Sequence, residues 1–309
     1  MILISLLLMQ AAYSPETEAV MNRSRREAQE RRADESRARS AATAAGKERQ
    51  AAQTGMALSA EAAAKFQACL DTASEDADAG VRFAQAWALD GGSFAASQCR
   101  GFAEAQAERW EAAAGAFEAA ANEAQRAGSS VDSARLFAQA GNAALAAGHA
   151  EMARGYFDAA LGHGLPDGLA KGEIHLDRAR ALVALGDGKG ARTDIDMALK
   201  QAPEDPLGWL LSATLARRQK DLARAKADIA EAKRRSPDDA SVALEEGNIA
   251  ILSDDETAAK AAWQRVLTIA PEGDPARAAR ASLAQLAEGD DGAAGSAAPA
   301  PAPSETPAP

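Results

Sequence analysis

The strongest constraint on the fold of this 309-residue chain is an internal period of 34 residues. Three prolines mark the period: Pro203, Pro237 and Pro271. Five positions before each proline stands an apolar residue, namely Ala198, Ala232 and Val266. Twelve positions before it stands an alanine, namely Ala191, Ala225 and Ala259. Twenty-four positions before it stands a small residue, namely Ala179, Ala213 and Gly247. A period of this length indicates one supersecondary unit that buries its apolar face against copies of itself.

The spacing of small residues within each unit predicts two packed helices. A small side chain where two helices cross lets their axes approach, whereas a larger side chain would push them apart. The proline ends the second helix, because its ring blocks the backbone hydrogen bond that would continue it. Each unit is therefore predicted to be a helical hairpin.

Alanine dominates the composition, with 84 residues in the chain, and aromatic residues make up only 4%. Alanine has the highest helix propensity, whereas strands are rich in β-branched and aromatic residues. This composition excludes most β-sandwiches and β-barrels and favours an all-α protein.

Degenerate copies of the pattern precede the three regular units. The set Gly141, Ala153 and Phe157 matches at the same offsets, and an earlier set repeats it at Gly101, Ala113 and Phe117. With Trp209 four residues before Ala213, the pattern resembles the tetratricopeptide repeat, which has a period of 34 residues. A weaker first copy contains Ala79, Phe83 and Ala86.

The resemblance implies an all-α, right-handed α-solenoid of about six helical hairpins over residues 59–287. The units are drawn at about 60–93, 94–127, 134–167, 172–205, 206–239 and 240–273, and a helix near 274–287 is expected to cap the array. Residues 128–133 and 168–171 are interpreted as insertions that lengthen the turns between units.

The resemblance also implies a concave groove lined by the first helix of each unit. The residue after each small crossing residue would point into this groove, and one turn further along the same face continues. The predicted peptide-binding residues are Phe102, Asn142, Arg180, Thr214, Arg217 and Asn248. Asparagine can pair with a peptide backbone, and arginine can bind a carboxylate. The alternative is a solvated groove with no ligand.

No residue pattern in the sequence supports catalysis or metal binding. The glycines between Gly186 and Gly190 lack the spacing of a phosphate loop, and His149, His163 and His175 lie in turns or on a first helix. We expect no cofactor and no enzymatic activity. The expected function is that of a protein–protein interaction scaffold or adaptor.

The charge distribution argues against nucleic acid as a partner. The chain carries a net charge of −11, and the basic stretch at 23–49 holds nine Lys/Arg against five Asp/Glu. Interleaved acidic residues dilute that stretch, whereas a phosphate-binding surface needs a basic patch. The expected partner is a protein or peptide, and the sequence leaves the oligomeric state open.

Cys69 and Cys99 are the two cysteines of the chain, and both are predicted on first helices of neighbouring units. Because neighbouring first helices pack side by side in this architecture, a disulfide between them is feasible in an oxidising compartment. The alternative is two buried free thiols that pack as small apolar side chains.

The two ends of the chain differ from the array. Residues 1–12 form an apolar run followed by small residues, which predicts a signal peptide, a periplasmic location in a bacterium and a mature chain without a membrane span. The alternative is a cytosolic module. Residues 13–58 are predicted to be a charged, Ala-rich helix or linker, and 288–309 a disordered Ala/Pro-rich tail.

Overall fold

The computed structural model describes residues 58–295, and within this range the chain is all-helical, with no strand. The predicted signal peptide at 1–12, the charged segment up to residue 57 and the tail from residue 296 lie outside the described residues.

Thirteen helices follow one another along the described range. They are α1 (Ala60–Glu75), α2 (Ala77–Leu89), α3 (Ser93–Gln106), α4 (Trp110–Arg126), α5 (Ser130–Ala146), α6 (Ala150–Gly162), α7 (Leu169–Ala184), α8 (Gly188–Gln201), α9 (Pro206–Arg218), α10 (Leu222–Arg235), α11 (Ala240–Ile251), α12 (Glu256–Ile269) and α13 (Asp274–Gly295). The last helix extends past residue 288, where the sequence analysis places the start of the tail.

The first twelve helices form six hairpins, in which each odd-numbered helix packs on the even-numbered helix that follows it. Each even-numbered helix also contacts the first helix of the next hairpin, and α13 packs on α11 and α12. The apolar core is therefore distributed along the array as consecutive clusters. This confirms the all-α repeat solenoid of six hairpins.

Aspartates with the 34-residue spacing start the later second helices. Asp187, Asp221 and Asp255 are the N-cap residues of α8, α10 and α12, and each side chain accepts a hydrogen bond from the backbone N–H three residues on. An N-cap carboxylate satisfies a donor that the helix leaves unpaired and interacts favourably with the helix dipole. The same repeated residue therefore fixes where each second helix begins.

The first insertion lengthens a first helix and not a turn, so that part of the interpretation was wrong. At the second insertion the turn, residues 163–168, has six residues, whereas the other turns between hairpins have three or four. Residues 130–133 form the first turn of α5, where Val131 and Ser133 are buried. Residues 169–171 likewise open α7, and the N–H of Gly168 donates to the side chain of Gln201 at 2.9 Å. Packing of Val131 and Ser133 against the array favours helix over loop in the first insertion.

In the second to sixth hairpins, a small residue of the first helix faces the large residue of its second helix. A Cβ placed on Gly141 would lie 2.5 Å from a ring carbon of Phe157, and one on Gly101 would lie 2.6 Å from the ring of Phe117. Gly247 faces Trp263 in the same way, at 2.4 Å.

In the fourth and fifth hairpins the sizes at these two positions change together. Alanine replaces the glycine and isoleucine replaces the aromatic residue, and both pairs are buried: Ala179 with Ile195, and Ala213 with Ile229. The summed volume at the crossing is thus conserved, which is what close packing of two helices requires.

We predict that Gly141→Ala destabilises the protein by about 1–3 kcal/mol, because the added methyl group overlaps the Phe157 ring. The double variant Gly141→Ala/Phe157→Ile recreates the pair found in the fourth hairpin and should recover part of this loss. Urea unfolding followed by circular dichroism measures both. An equal or larger loss in the double variant than in Gly141→Ala would contradict size matching at the crossing.

A disulfide joins the first two hairpins. Cys69 of α1 and Cys99 of α3 are fully buried, their sulfur atoms are 1.98 Å apart and their Cα atoms 6.3 Å apart. The bond closes a loop with a sequence separation of 30, for which the chain-entropy description gives roughly 3–4 kcal/mol of stabilisation. It secures the hairpin whose sequence matches the repeat least well.

Candidate peptide-binding groove

The six predicted groove residues lie on five first helices. Phe102 is on α3, Asn142 on α5, Arg180 on α7, Thr214 and Arg217 on α9, and Asn248 on α11. The structure brings four of them to two cavities between first helices, whereas neither cavity reaches Phe102 or Asn142.

A carboxylate on α7 links two of the predicted residues. The amide of Asn142 on α5 donates a hydrogen bond to Asp177 Oδ2 at 2.9 Å, and Arg180 Nη1 contacts Asp177 Oδ1 at 3.1 Å. Asp177 therefore bridges neighbouring first helices, and the Asn142 amide nitrogen is already engaged in this bridge.

A second carboxylate, on α11, makes a similar bridge that is more deeply buried. Arg217 Nε of α9 donates to Glu245 Oε1 at 2.6 Å, and the Asn248 amide donates to Glu245 Oε2 at 3.2 Å. The indole N–H of Trp263 in turn donates to Asn248 Oδ1 at 3.3 Å. The polar side chains at this end of the groove thus form one connected network.

The sequence analysis missed both bridging carboxylates. Asp177 and Glu245 each stand three residues before a predicted groove residue, and they are separated by two repeat periods. The residue midway between them, in the same register, is Leu211. A search for acidic residues one turn before Arg180 and Asn248 would have found this pattern.

Leu211 lies at a cavity of about 200 Å³ between α7 and α9. Apolar side chains make up most of its lining, and Thr214, Arg180 and Arg218 complete it; the apolar set is Ala179, Val183, Ile195, Leu211 and Leu215. Thr214 Oγ1 donates to the carbonyl of Leu210 at 3.0 Å, so the wall presents the methyl group of Thr214 without an unpaired hydroxyl. The cavity matches an apolar side chain in size and character.

Acidic and basic side chains near this cavity lie at different positions along the helices. Glu173 and Asp177 stand in the first half of α7, and the pKa of the Glu173 carboxyl is raised by partial burial and by the nearby Asp205 and Asp177 carboxylates. Arg180 and Arg218 stand at the cavity itself, where both are exposed. Among the described residues Arg218 has no acidic partner, so it can bind a carboxylate of a ligand.

A second cavity, of about 400 Å³, lies at the C-terminal end of the groove. Arg217 and Asn248 line it together with residues of α11, α12 and α13, among them Ile251, Trp263 and Leu286. The thirteenth helix therefore supplies one wall of the groove as well as covering the end of the array.

Titratable groups outside the groove form a structural network. His175 Nδ1 is 2.9 Å from Asp194 Oδ1, and Arg178 donates two hydrogen bonds to the same carboxylate. Burial disfavours the charged form of Asp194, but the hydrogen bonds from Arg178 and His175 hold its pKa below the usual range. Because Asp194 is buried and its charge is matched, this cluster holds α7 on α8.

Residues 58–295 also bear on metal binding and on membrane insertion. No group of three or more His, Cys, Asp or Glu side chains in this range could hold a metal ion. No helix in the described part of the chain is both long and apolar enough to cross a membrane.

Solved structures with a similar fold were found at low sequence identity. PilW, a widely conserved type IV pilus biogenesis factor, has a TM-score of 0.58 and 16% identity over 71% of this chain and 97% of PilW. PilF of Pseudomonas aeruginosa has a TM-score of 0.55 and 14% identity, covering 73% of this chain and 99% of PilF. BtubC from P. vanneervenii has a TM-score of 0.55 and 15% identity, covering 77% and 97%.

No protein-family model and no curated protein matches the sequence significantly. The structural likeness therefore concerns the fold, which is an all-α solenoid of tetratricopeptide-type hairpins.

We predict that Glu245→Ala lowers the free energy of unfolding by about 2–4 kcal/mol, because it leaves the part-buried Arg217 guanidinium without its partner. Asp177→Ala is the matched control in the same register. Its side chain is 22% exposed, against 8% for Glu245, so its loss should cost less. Thermal and urea unfolding measure both, and equal effects would contradict the difference in burial.

Proposed function

We propose that this protein is a non-enzymatic interaction scaffold that binds a peptide segment of a partner protein in the groove of its first helices. The observation that carries the proposal is the cavity between α7 and α9, which combines an apolar lining with two exposed guanidinium groups, Arg180 and Arg218. This combination suits a segment in which a bulky apolar residue stands next to a carboxylate.

The hydrogen bonds to Asp177 and Glu245 indicate that the predicted groove residues have different roles. Asn142 and Asn248 donate to Asp177 and Glu245, so their amide nitrogens position the first helices before any ligand arrives. Arg218 and the apolar lining are left to contact the ligand, together with the guanidinium nitrogens of Arg180 that Asp177 does not engage. A groove held in shape by its own hydrogen bonds loses less entropy on binding than a flexible one.

The proposal is tested by selecting random short peptides on the immobilised full-length chain and measuring the affinity of the enriched sequences. We expect enrichment of peptides with a bulky apolar residue beside Asp, Glu or the terminal carboxylate. The Arg180→Ala/Arg218→Ala variant should bind them at least about tenfold more weakly, because charge-assisted hydrogen bonds are lost.

Arg126→Ala/Lys189→Ala is the matched control, because it removes two exposed cations that line neither groove cavity. Circular dichroism of both variants checks that the array is folded. Equal affinity of the selected peptides for the wild type and for Arg180→Ala/Arg218→Ala would contradict the proposed site.

We further propose that the protein works in an oxidising compartment of the cell envelope, with a cytosolic module as the alternative. The Cys69–Cys99 disulfide supports this location, because disulfides persist outside the reducing cytosol. The apolar run at 1–12, typical of a signal peptide, is consistent with it.

Intact mass of protein purified from its native host, with and without reduction before alkylation, tests the location. We expect loss of roughly a dozen N-terminal residues, as a cleaved signal peptide would give. We also expect alkylation of both cysteines only after reduction. A full-length chain with two free thiols would contradict export.

A further inference from the structure

A third cavity, of about 580 Å³, lies between α10 and α11 and is not part of the first-helix groove. One stripe of each helix lines it, and the start of α12 closes it: Lys226, Ile229, Ala230, Lys233 and Arg234 of α10; Glu246, Ile249 and Ala250 of α11; and Ser253, Asp255 and Ala258 beyond them. The α10 stripe advances by three and four residues, so it follows one helix face for about 12 Å.

This groove faces away from the first-helix groove. On α11 the residues that line the first-helix groove are Asn248 and Ile251, whereas Glu246, Ile249 and Ala250 line the third cavity. At 100° per residue these two sets point to nearly opposite sides of the helix. A ligand in one groove therefore leaves the other accessible.

At the equivalent junction one repeat earlier, side chains of the chain itself contact one another across the two helices: Arg192, at the position of Lys226, donates a hydrogen bond to Ser212 of α9 at 2.9 Å. There Asp196 occupies the position of Ala230 and binds Arg192 at 2.8 Å and Arg224 at 2.7 Å. Leu199 occupies the position of Lys233 and lies against Gly208 of the next helix. At the junction between α10 and α11 alanine and lysine replace these two residues, and the cavity of about 580 Å³ lies there.

The helix that forms one wall of the open groove lies in a basic stretch. Residues 217–235 contain eight Lys/Arg and three Asp/Glu, a net charge of +5 in a chain of net charge −11. The sequence analysis overlooked this stretch. Lys226 is exposed and pairs with no acid in residues 58–288, whose side chains are described.

The two acids that line the groove are already engaged. Glu246 accepts a hydrogen bond from Lys233 at 2.8 Å and contacts Arg265 at 2.9 Å, and Asp255 caps α12 through the N–H of Ala258. Of the cations, Lys233 pairs with Glu246 and Arg234 pairs with Glu231, so Lys226 is the lining cation without an acidic partner among residues 58–288. The lining carries three cations and two acids, and Ala230 and Ala250, beside the buried Ile229 and Ile249, supply an apolar floor.

From this arrangement we infer a second binding site, in which the groove between α10 and α11 takes an acidic amphipathic helix of a partner protein. The apolar residues of the ligand would lie on the floor, and its carboxylates would face Lys226, Lys233 and Arg234. The apolar floor favours a protein segment over nucleic acid, because a phosphate backbone would leave that floor uncovered. With both grooves occupied, the array would hold two partners at once.

The test measures fluorescence anisotropy of a fluorescein-labelled helical peptide with leucines three and four residues apart and glutamates on both flanks. The full-length chain is the receptor. Ala230→Leu fills the floor without changing charge, and Lys226→Glu reverses an exposed charge that has no acidic partner in the described chain. Each variant should weaken binding of the peptide at least about tenfold, which corresponds to about 1.4 kcal/mol of binding free energy.

Matched controls lie on the same hairpin outside the groove. Ala223→Leu and Lys220→Glu carry the same chemical changes at exposed positions that do not line the cavity, and both should bind as the wild type does. A peptide with lysine in place of each glutamate should not bind, and added salt should weaken binding of the acidic peptide.

Several results would overturn the inference. The first is that the acidic peptide does not bind. The second is that Ala223→Leu weakens its binding as much as Ala230→Leu does. The third is that Arg180→Ala/Arg218→Ala abolishes its binding, which would assign the peptide to the first-helix groove. Binding of single-stranded DNA that Lys226→Glu abolishes would assign the groove to nucleic acid. Self-association of the chain that Ala230→Leu abolishes would assign it to a second copy.

Discussion

In the second to sixth hairpins, the contact between a small residue on the first helix and a large residue on the second helix sets the separation of the two helices. Every later feature depends on that separation, because the next hairpin packs on the surface that the previous one presents. Gly141 with Phe157 and Ala179 with Ile195 reach similar packing with different residues, since a larger partner accompanies the smaller crossing residue. An array built in this way tolerates variation in sequence as long as volume is conserved at the crossing.

Between neighbouring first helices the structure alternates polar bridges with an apolar cavity. Asp177 and Glu245 bridge first helices through hydrogen bonds, while Leu211, in the same register between them, lies at the cavity beside Arg180 and Arg218. The bridges hold neighbouring helices in place, and the cavity leaves room for a ligand. A peptide-binding groove needs both properties, because a rigid wall lowers the entropic cost of binding and an unfilled pocket gives specificity.

The second groove also depends on which side chains occupy the junction between two hairpins. Asp196 and Leu199 stand at one junction between hairpins, whereas Ala230 and Lys233 stand at the same positions of the next one, where a cavity lies against the basic face of α10. One helix, α11, separates the two grooves and contributes opposite faces to them. A repeat array thus acquires cavities where the side chains of one unit leave space beside the next.

The sequence by itself determined the hairpin and the helix order, because these follow from a 34-residue period and from prolines that end helices. It also placed Cys69 and Cys99 on neighbouring first helices, where the structure joins them. Only the tertiary structure decided which groove side chains are free, since Asn142 and Arg217 meet their carboxylate partners 35 and 28 residues away, in other hairpins. The tertiary structure likewise decided that a cavity lies at Ala230. A cavity depends on side chains from two units, and the periodic pattern within one unit does not predict how those side chains meet.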